Sequence, residues 1–268
     1  MRSDYQTLTR IIEGFSASSA SPAGPAAVGR TRRPLTPLRP EVMTLADLAQ
    51  AGAPAPHDLR STLERRSSRV DYADEPVDAR ALMSTVHDAL VEDLRRWGRD
   101  APGQPEPFVL LLRATGLDPG VYRVRAEGVD LLAPLPPDRQ LEGLTVQKEF
   151  ARAGAIVSAA ADLDEADAWA GAHGYRHAMV RCAGLIYSVH LRAAAQDLTG
   201  TVFAGLASAA VRHLLDSDGV ARHQMFAVTV AVPGAPPRAA PEASAPPAEP
   251  APPTDPPGAP APGAPATP

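Results

Sequence analysis

The stretch Gly116–Leu135, GLDPGVYRVRAEGVDLLAPL, reads as an extended chain that reverses twice. Asp118, Pro119 and Gly120 supply the first turn, because proline presets a turn φ and glycine accepts positive φ without cost. Val121, Tyr122 and Val124 then resume a strand, Glu127 and Gly128 turn the chain again, and Val129 to Leu132 run back. Just upstream, Phe108 to Arg113 (FVLLLR) is a short, nearly unbroken apolar run, the mark of a strand covered on both faces. Tight turns join antiparallel strands, so at least one antiparallel hairpin is expected here.

Outward from this centre the period alternates between strand and helix. Ala155 to Ala161 (AIVSAAA), Thr201 to Ala204 and Met225 to Val232 (MFAVTVAV) are further strand candidates. Asp58 to Arg66 suits a short helix. Asp78 is placed as the N-cap of a second, running to about Arg96 with Leu82, Met83, Val86, Leu90 and Leu94 on one stripe. Arg176 to Ala195 reads as a long helix, with Met179, Leu185, Ile186 and Val189 available for burial, and Ala207 to Leu215 as a short one. The class is α+β.

The ends have another character. Half of the 30 prolines lie at or after Pro233, where no apolar face can be drawn, so residues 235–268 are expected to be a disordered Pro/Ala tail. Residues 1–56 are expected to be mostly disordered, with a short helix at Tyr5 to Phe15, which leaves 57–234 as the folded domain. A net charge of −5 disfavours nucleic acid and acidic membranes as partners. No apolar run reaches membrane length, and Cys182, the only cysteine, allows no internal disulfide, so a cytoplasmic protein is expected.

One local cluster departs from the acidic balance: Arg65-Arg66-Ser67-Ser68-Arg69. In an extended segment Arg65, Ser67 and Arg69 would alternate onto one side, and two guanidinium forks with a hydroxyl make a phosphate site. His173 and His177 are four residues apart, but the glycine between them and the lack of a third ligand argue against a metal.

The order of these motifs resembles the nitroreductase superfamily. It runs from RRSSR through the GLDPGVYRVR hairpin and the GYRHAM helix start (Gly174 to Met179) to the closing MFAVTVAV strand. Within that superfamily the resemblance is to the azoline dehydrogenases of thiazole- and oxazole-forming peptide pathways, over about Arg60 to Gly234. It implies a mixed sheet flanked by helices and a homodimer, or a heterodimer with a paralogue, with the flavin at the subunit interface. It further implies FMN as cofactor, a peptide substrate and possible association with a cyclodehydratase complex.

On this resemblance Arg65, Ser67 and Arg69 bind the FMN phosphate and ribityl chain. Ser188 and Gly205 stand where family members carry flavin-site residues, and Arg238 stands for the basic residue after the last strand. Where those dehydrogenases carry a Lys-Tyr pair, this chain has Trp169 and Ala170, so His177 and Tyr175 become the candidate catalytic groups. His177 is the better base on its ordinary pKa of about 6.5. The altered positions open the alternative of a partner or scaffold subunit with no redox activity of its own; a general flavin nitro- or quinone reductase is a further alternative.

Overall fold

The computed structural model describes residues 34–52, 56–99, 101, 103–135, 143, 145, 147–207, 212, 214–215 and 219–235. The expected Tyr5–Phe15 helix, the Pro/Ala tail from 236, Arg238 and most of the expected 207–215 helix lie outside them.

The hairpin stretch forms the middle of a seven-stranded sheet. Strand β3 (Glu106–Leu111) pairs antiparallel with β5 (Gly120–Arg125), which turns at Ala126 and Glu127 into β6 (Gly128–Pro134). The Tyr122 hydroxyl donates to the Asp118 carbonyl at 2.6 Å and so ties the strand to its own turn. On the other side, β3 pairs with β7 (Ala155–Ala161), and β7 with β9 (His223–Val230), both antiparallel. The short β8 (Val202–Phe203) closes that edge against β9. With β1 (Arg39–Thr44) at the other edge, the strand order is β1-β6-β5-β3-β7-β9-β8. A separate parallel ribbon joins β2 (Val77–Asp78) to β4 (Ala114–Thr115).

Two elements fall where disorder is expected from the composition. Strand β1 (Arg39–Thr44) adds to the sheet edge along β6, and helix α1 (Leu45–Ala51) follows it. The folded unit therefore starts well before residue 57. β1 buries only one side chain fully, Met43, so its alternation is too faint to read, and backbone pairing holds it instead. Gly128 permits that pairing, since a β-carbon there would stand 2.7 Å from the Met43 carbonyl oxygen. Thr44 caps α1 in a box with Asp47, each accepting from the other's amide.

Helix α2 (Leu59–Arg65) is capped by Asp58, and α3 (Ala79–Trp97) by Asp78, whose carboxylate accepts from the amides of Arg80 and Ala81. A further helix, α4 (Leu163–Ala170), precedes the long α5 (Ala172–Ala195). The two meet so closely that a β-carbon on Gly174 would lie 1.7 Å from the Ala166 carbonyl oxygen. Leu82, Met83, Val86 and Leu90 of α3 share one core cluster with Leu185, Ile186 and Val189 of α5 and with Val109, Leu111, Tyr122 and Val157 of the sheet. The alternate side chains Phe108, Leu110, Val121, Ile156 and Ala227 form a second cluster on the opposite sheet face.

Across the β5–β6 hairpin, Asp130 is 1% exposed and accepts from Arg123, twice from Arg125 and from the Glu41 amide. Burial alone would raise its pKa, but the two guanidiniums and the amide outweigh this and hold it at about 2. A carboxylate depressed below its unfolded value stabilises the fold above about pH 4 and loses that contribution as pH falls towards 2. Wild-type stability should therefore fall by roughly 2 kcal/mol across that window on this group's account. In Asp130→Asn the pH slope between 4 and 2 should be visibly shallower in urea titrations, and an unchanged slope would exclude Asp130 as its source.

Candidate functional site

The arginine cluster leaves the end of α2 and is clamped between two other chain segments. Ser68 bridges Gly200, the Arg69 amide donates to the Gly200 carbonyl, and the Thr201 hydroxyl donates to the Arg69 carbonyl at 2.8 Å. On its far side Tyr72 bridges Pro233, and the Ala73 amide donates to the Val232 carbonyl. The Tyr72 hydroxyl also lies 2.9 Å from Thr229 Oγ1 in β9. A short basic loop thus becomes an extended strip fixed on both edges.

Beside this strip is a cleft of about 180 Å³ lined by Thr62, Arg65, Arg66, Ser67, Arg69, His190, Ala194, Asp197, Leu198, Thr199 and Pro233. The three residues expected to hold a phosphate line it together. Strict alternation is not the reason. Arg65 is the last residue of α2, and Arg66, its C-cap in extended conformation, lines the same cleft. The helix end turns the chain, so neighbouring side chains converge.

Two of the arginines are paired. Arg65 Nη2 lies 2.7 Å from Asp197 Oδ1, which His57 Nε2 also approaches at 2.8 Å. Arg69 pairs with Asp71 and donates to the Gly234 carbonyl at 3.1 Å. Asp197 sits just past α5 at φ 61°, a left-handed conformation that aspartate tolerates better than most residues. Hydrogen bonds from Arg65 and His57 keep its carboxyl below the usual carboxylate range. Two shielded nitrogens of residues that line the cleft, Arg66 Nε and His190 Nε2, have no hydrogen-bond partner. His190 is 3% exposed, and its pKa is lowered by burial and by the neighbouring Arg66 charge.

The other expected site residues lie elsewhere. Ser188 is two positions before His190, some 200° around the helix, and faces a groove between α3 and α5 where it accepts from Arg192 at 3.3 Å. Gly205 is a turn residue at φ 78° that closes β8 against the Gln224 carbonyl, and it does not line the cleft. His177 is thirteen residues before His190 on one helix, so about 20 Å from the cleft. It packs edge-on between Trp97 and Trp169, with ring centroids 4.8 Å from each. Burial and the Arg181 charge lower its pKa. Tyr175, 42% exposed, is a further two residues away. The structure thus separates the expected base from the expected phosphate site within one chain. Among the described residues no group of three or more His, Cys, Asp or Glu could hold a metal ion, and no helix is long and apolar enough to cross a membrane.

The residues present fit the phosphate end of a nucleotide: a basic cleft, with two unpartnered shielded nitrogens among its lining residues. Its volume is below the roughly 300–1,000 Å³ of whole-ligand pockets, so a complete flavin nucleotide exceeds it.

No protein-family model matches the chain, and no curated protein does. Solved structures do. A crystal structure assigned as a nitroreductase from Anabaena variabilis superposes with a TM-score of 0.54 at 21% identity, covering 66% of this chain and 38% of that one. The chain therefore spans well under half of that protein's length. A second, assigned as a nitroreductase from Ralstonia eutropha, gives 0.51 at 13% identity over 76% of this chain and 100% of that one. The Escherichia coli microcin synthetase McbBCD complex with truncated pro-MccB17 matches at 0.48 and 15% identity, over 83% of this chain and 91% of that one, a score that supports no reading of function. The chain has a nitroreductase-like fold, with an antiparallel main sheet, a small parallel ribbon and flanking helices.

Proposed function

We propose that this chain is an FMN-dependent oxidoreductase that oxidises azoline rings in a ribosomally made peptide. The observation that carries the cofactor reading is the convergence of Arg65, Ser67 and Arg69 in one cleft, beside two buried nitrogens that lack partners. In this reading Arg65, Ser67 and Arg69 hold the phosphate, and FMN when bound supplies the two-electron redox chemistry. The clamp on residues 68–73 keeps Arg69 in place before the ligand arrives, which lowers the ordering cost of binding. The azoline substrate, and association with a cyclodehydratase complex, rest on the motif resemblance.

The purified protein should show flavin absorbance or bind added FMN. Charge-assisted hydrogen bonds contribute on the order of 1.5–3 kcal/mol each, so Arg65→Ala/Arg69→Ala should weaken FMN by about a hundredfold or more while the chain stays folded. A folded wild-type protein that takes up no FMN would overturn the cofactor reading.

A second reading, a nitroreductase-fold partner subunit without redox activity of its own, is favoured by one specific observation. Arg65 and Arg69 are already engaged by Asp197 and Asp71, and the candidate base His177 is remote from them. Lack of flavin together with co-purification with an active dehydrogenase would establish it.

Both readings include a dimer. On α5, Val180, Gly184 and Tyr187 follow one another at spacings of four and three, so they share a face, and all three are exposed. Trp97 and Leu59 extend the apolar surface beside the α3–α5 groove. Burial of such a stripe against a second copy accounts for its exposure in one chain. Sedimentation at micromolar concentration should give a dimer, and Val180→Asp/Tyr187→Asp a monomer. A monomeric wild type would sink this part.

A further inference from the structure

A second hollow, of about 410 Å³, lies between the C-terminal end of α3 and the β5–β6 hairpin and shares no residue with the arginine cleft. Its size falls within the roughly 300–1,000 Å³ of whole-ligand pockets. Leu90 and Leu94 of α3 supply apolar lining, and Gln104 and Glu106 enter where the chain runs into β3. Arg123, Arg125 and Glu127 come from the hairpin, and Arg99 stands just beyond the end of α3.

Most of the charge here is already balanced. Asp130 accepts from Arg123 and Arg125, and Glu127 lies 3.4 Å from Arg125. Glu106 accepts from Arg222 at 2.6 Å and lies 3.7 Å from Arg123 Nη1. Three carboxylates thus meet three guanidiniums among the described residues, and Arg99, exposed and without an acidic partner among them, is left over. The Arg123 Nη1 contact is too long for a hydrogen bond, and this nitrogen, unlike Arg123 Nε, is not sealed from solvent. The half-buried Gln104 amide makes no hydrogen bond among the described residues either. The last carbonyls of α3 would repel an anion, but the exposed Arg95 and Arg99 offset them.

We propose that this hollow binds the C-terminal end of a peptide. The carboxylate is held by Arg99 and Arg123, the last amide by Gln104, and the last side chain lies against Leu90 and Leu94. One surplus positive charge suits a monoanion, and Glu106 and Glu127 in the lining oppose a dianion such as phosphate. A guanidinium fork matches a planar carboxylate. The Gln104 side chain offers a donor and an acceptor, the complement of a backbone amide, which a simple carboxylic acid lacks. The site does not depend on whether flavin binds elsewhere in the chain.

The test is calorimetric titration of the full chain with the N-acetylated tripeptide of two alanines and a C-terminal leucine. Two controls are its C-terminal amide and 4-methylpentanoate, which keeps the acid and the apolar body but has no amide. The free-acid tripeptide should bind, with each control at least about tenfold weaker. Arg99→Gln should weaken the tripeptide by about tenfold, the scale of one charge-assisted hydrogen bond, and Gln104→Ala by about fivefold. Arg99 is exposed and unpaired among the described residues, so its variant should melt with wild type. Equal binding of acid and amide, unchanged affinity in Arg99→Gln, or no binding of the tripeptide by folded wild type would overturn the site. Binding of 4-methylpentanoate as tightly as the tripeptide, or unchanged affinity in Gln104→Ala, would overturn the assignment to a peptide end.

Discussion

Asp93→Ala is expected to lower the melting temperature by roughly 6–20 °C. Arg181 lies mid-way along α5 with its side chain fully buried, and Asp93 of α3 is 6% exposed at the side chain. The carboxylate accepts from Arg181 Nη2 at 2.5 Å and from Nε at 3.2 Å, while Nη1 donates to the Ala101 carbonyl at 3.3 Å. Removal of the acid strands a buried guanidinium, which costs about 3–5 kcal/mol, even though the intact pair adds little over an apolar substitute. Asp93→Leu/Arg181→Met should accordingly be much more stable than Asp93→Ala. The pair joins the two long helices one turn away from the edge-on Trp97–His177–Trp169 group, so its loss should also loosen that packing. A melting point within about 2 °C of wild type in Asp93→Ala would show that the pair is not isolated from water.

Gly200→Ala should come next in size, with a loss of about 3 kcal/mol or more and a fall of roughly 6–12 °C. A β-carbon at this position would stand 1.7 Å from the Thr229 carbonyl oxygen, and that oxygen belongs to a sheet strand that cannot swing aside. The chain at residue 200 has to move off β9 and carry with it the bridge to Ser68 and the bond from the Arg69 amide. The arginine strip then loses one of its two clamped edges. Any anion affinity should drop together with stability, and Gly200→Ala with unaltered melting and binding would disprove the clamp.

The caps and the central hairpins were legible because their signals are local. Asp78 precedes an apolar stripe by one residue and caps its helix as that position requires, whereas Asp58, expected as the first residue of its helix, turns out to be that helix's cap. The turns at Asp118–Gly120 and Glu127–Gly128 carry residues chosen for backbone geometry, so the hairpin could be read before any packing was known. Helix α1 had a local signal too, Thr44 three residues before Asp47, but the surrounding proline and alanine masked it. Strand β1 had none, since a strand that buries one side chain has no period to detect.

The sequence by itself determined the α+β class, an antiparallel hairpin and the basic cluster at the end of α2, because each depends on neighbours within a few residues. Only the tertiary structure decided which groups share the cleft. His190 joins Arg66 through the packing of α5 against the end of α2, 124 residues apart in the chain, and no spacing rule anticipates that meeting. The same packing turned Ser188 to the opposite side of its helix and held His177 about 20 Å away between two tryptophans, because a rigid helix fixes both angle and rise for every residue it carries.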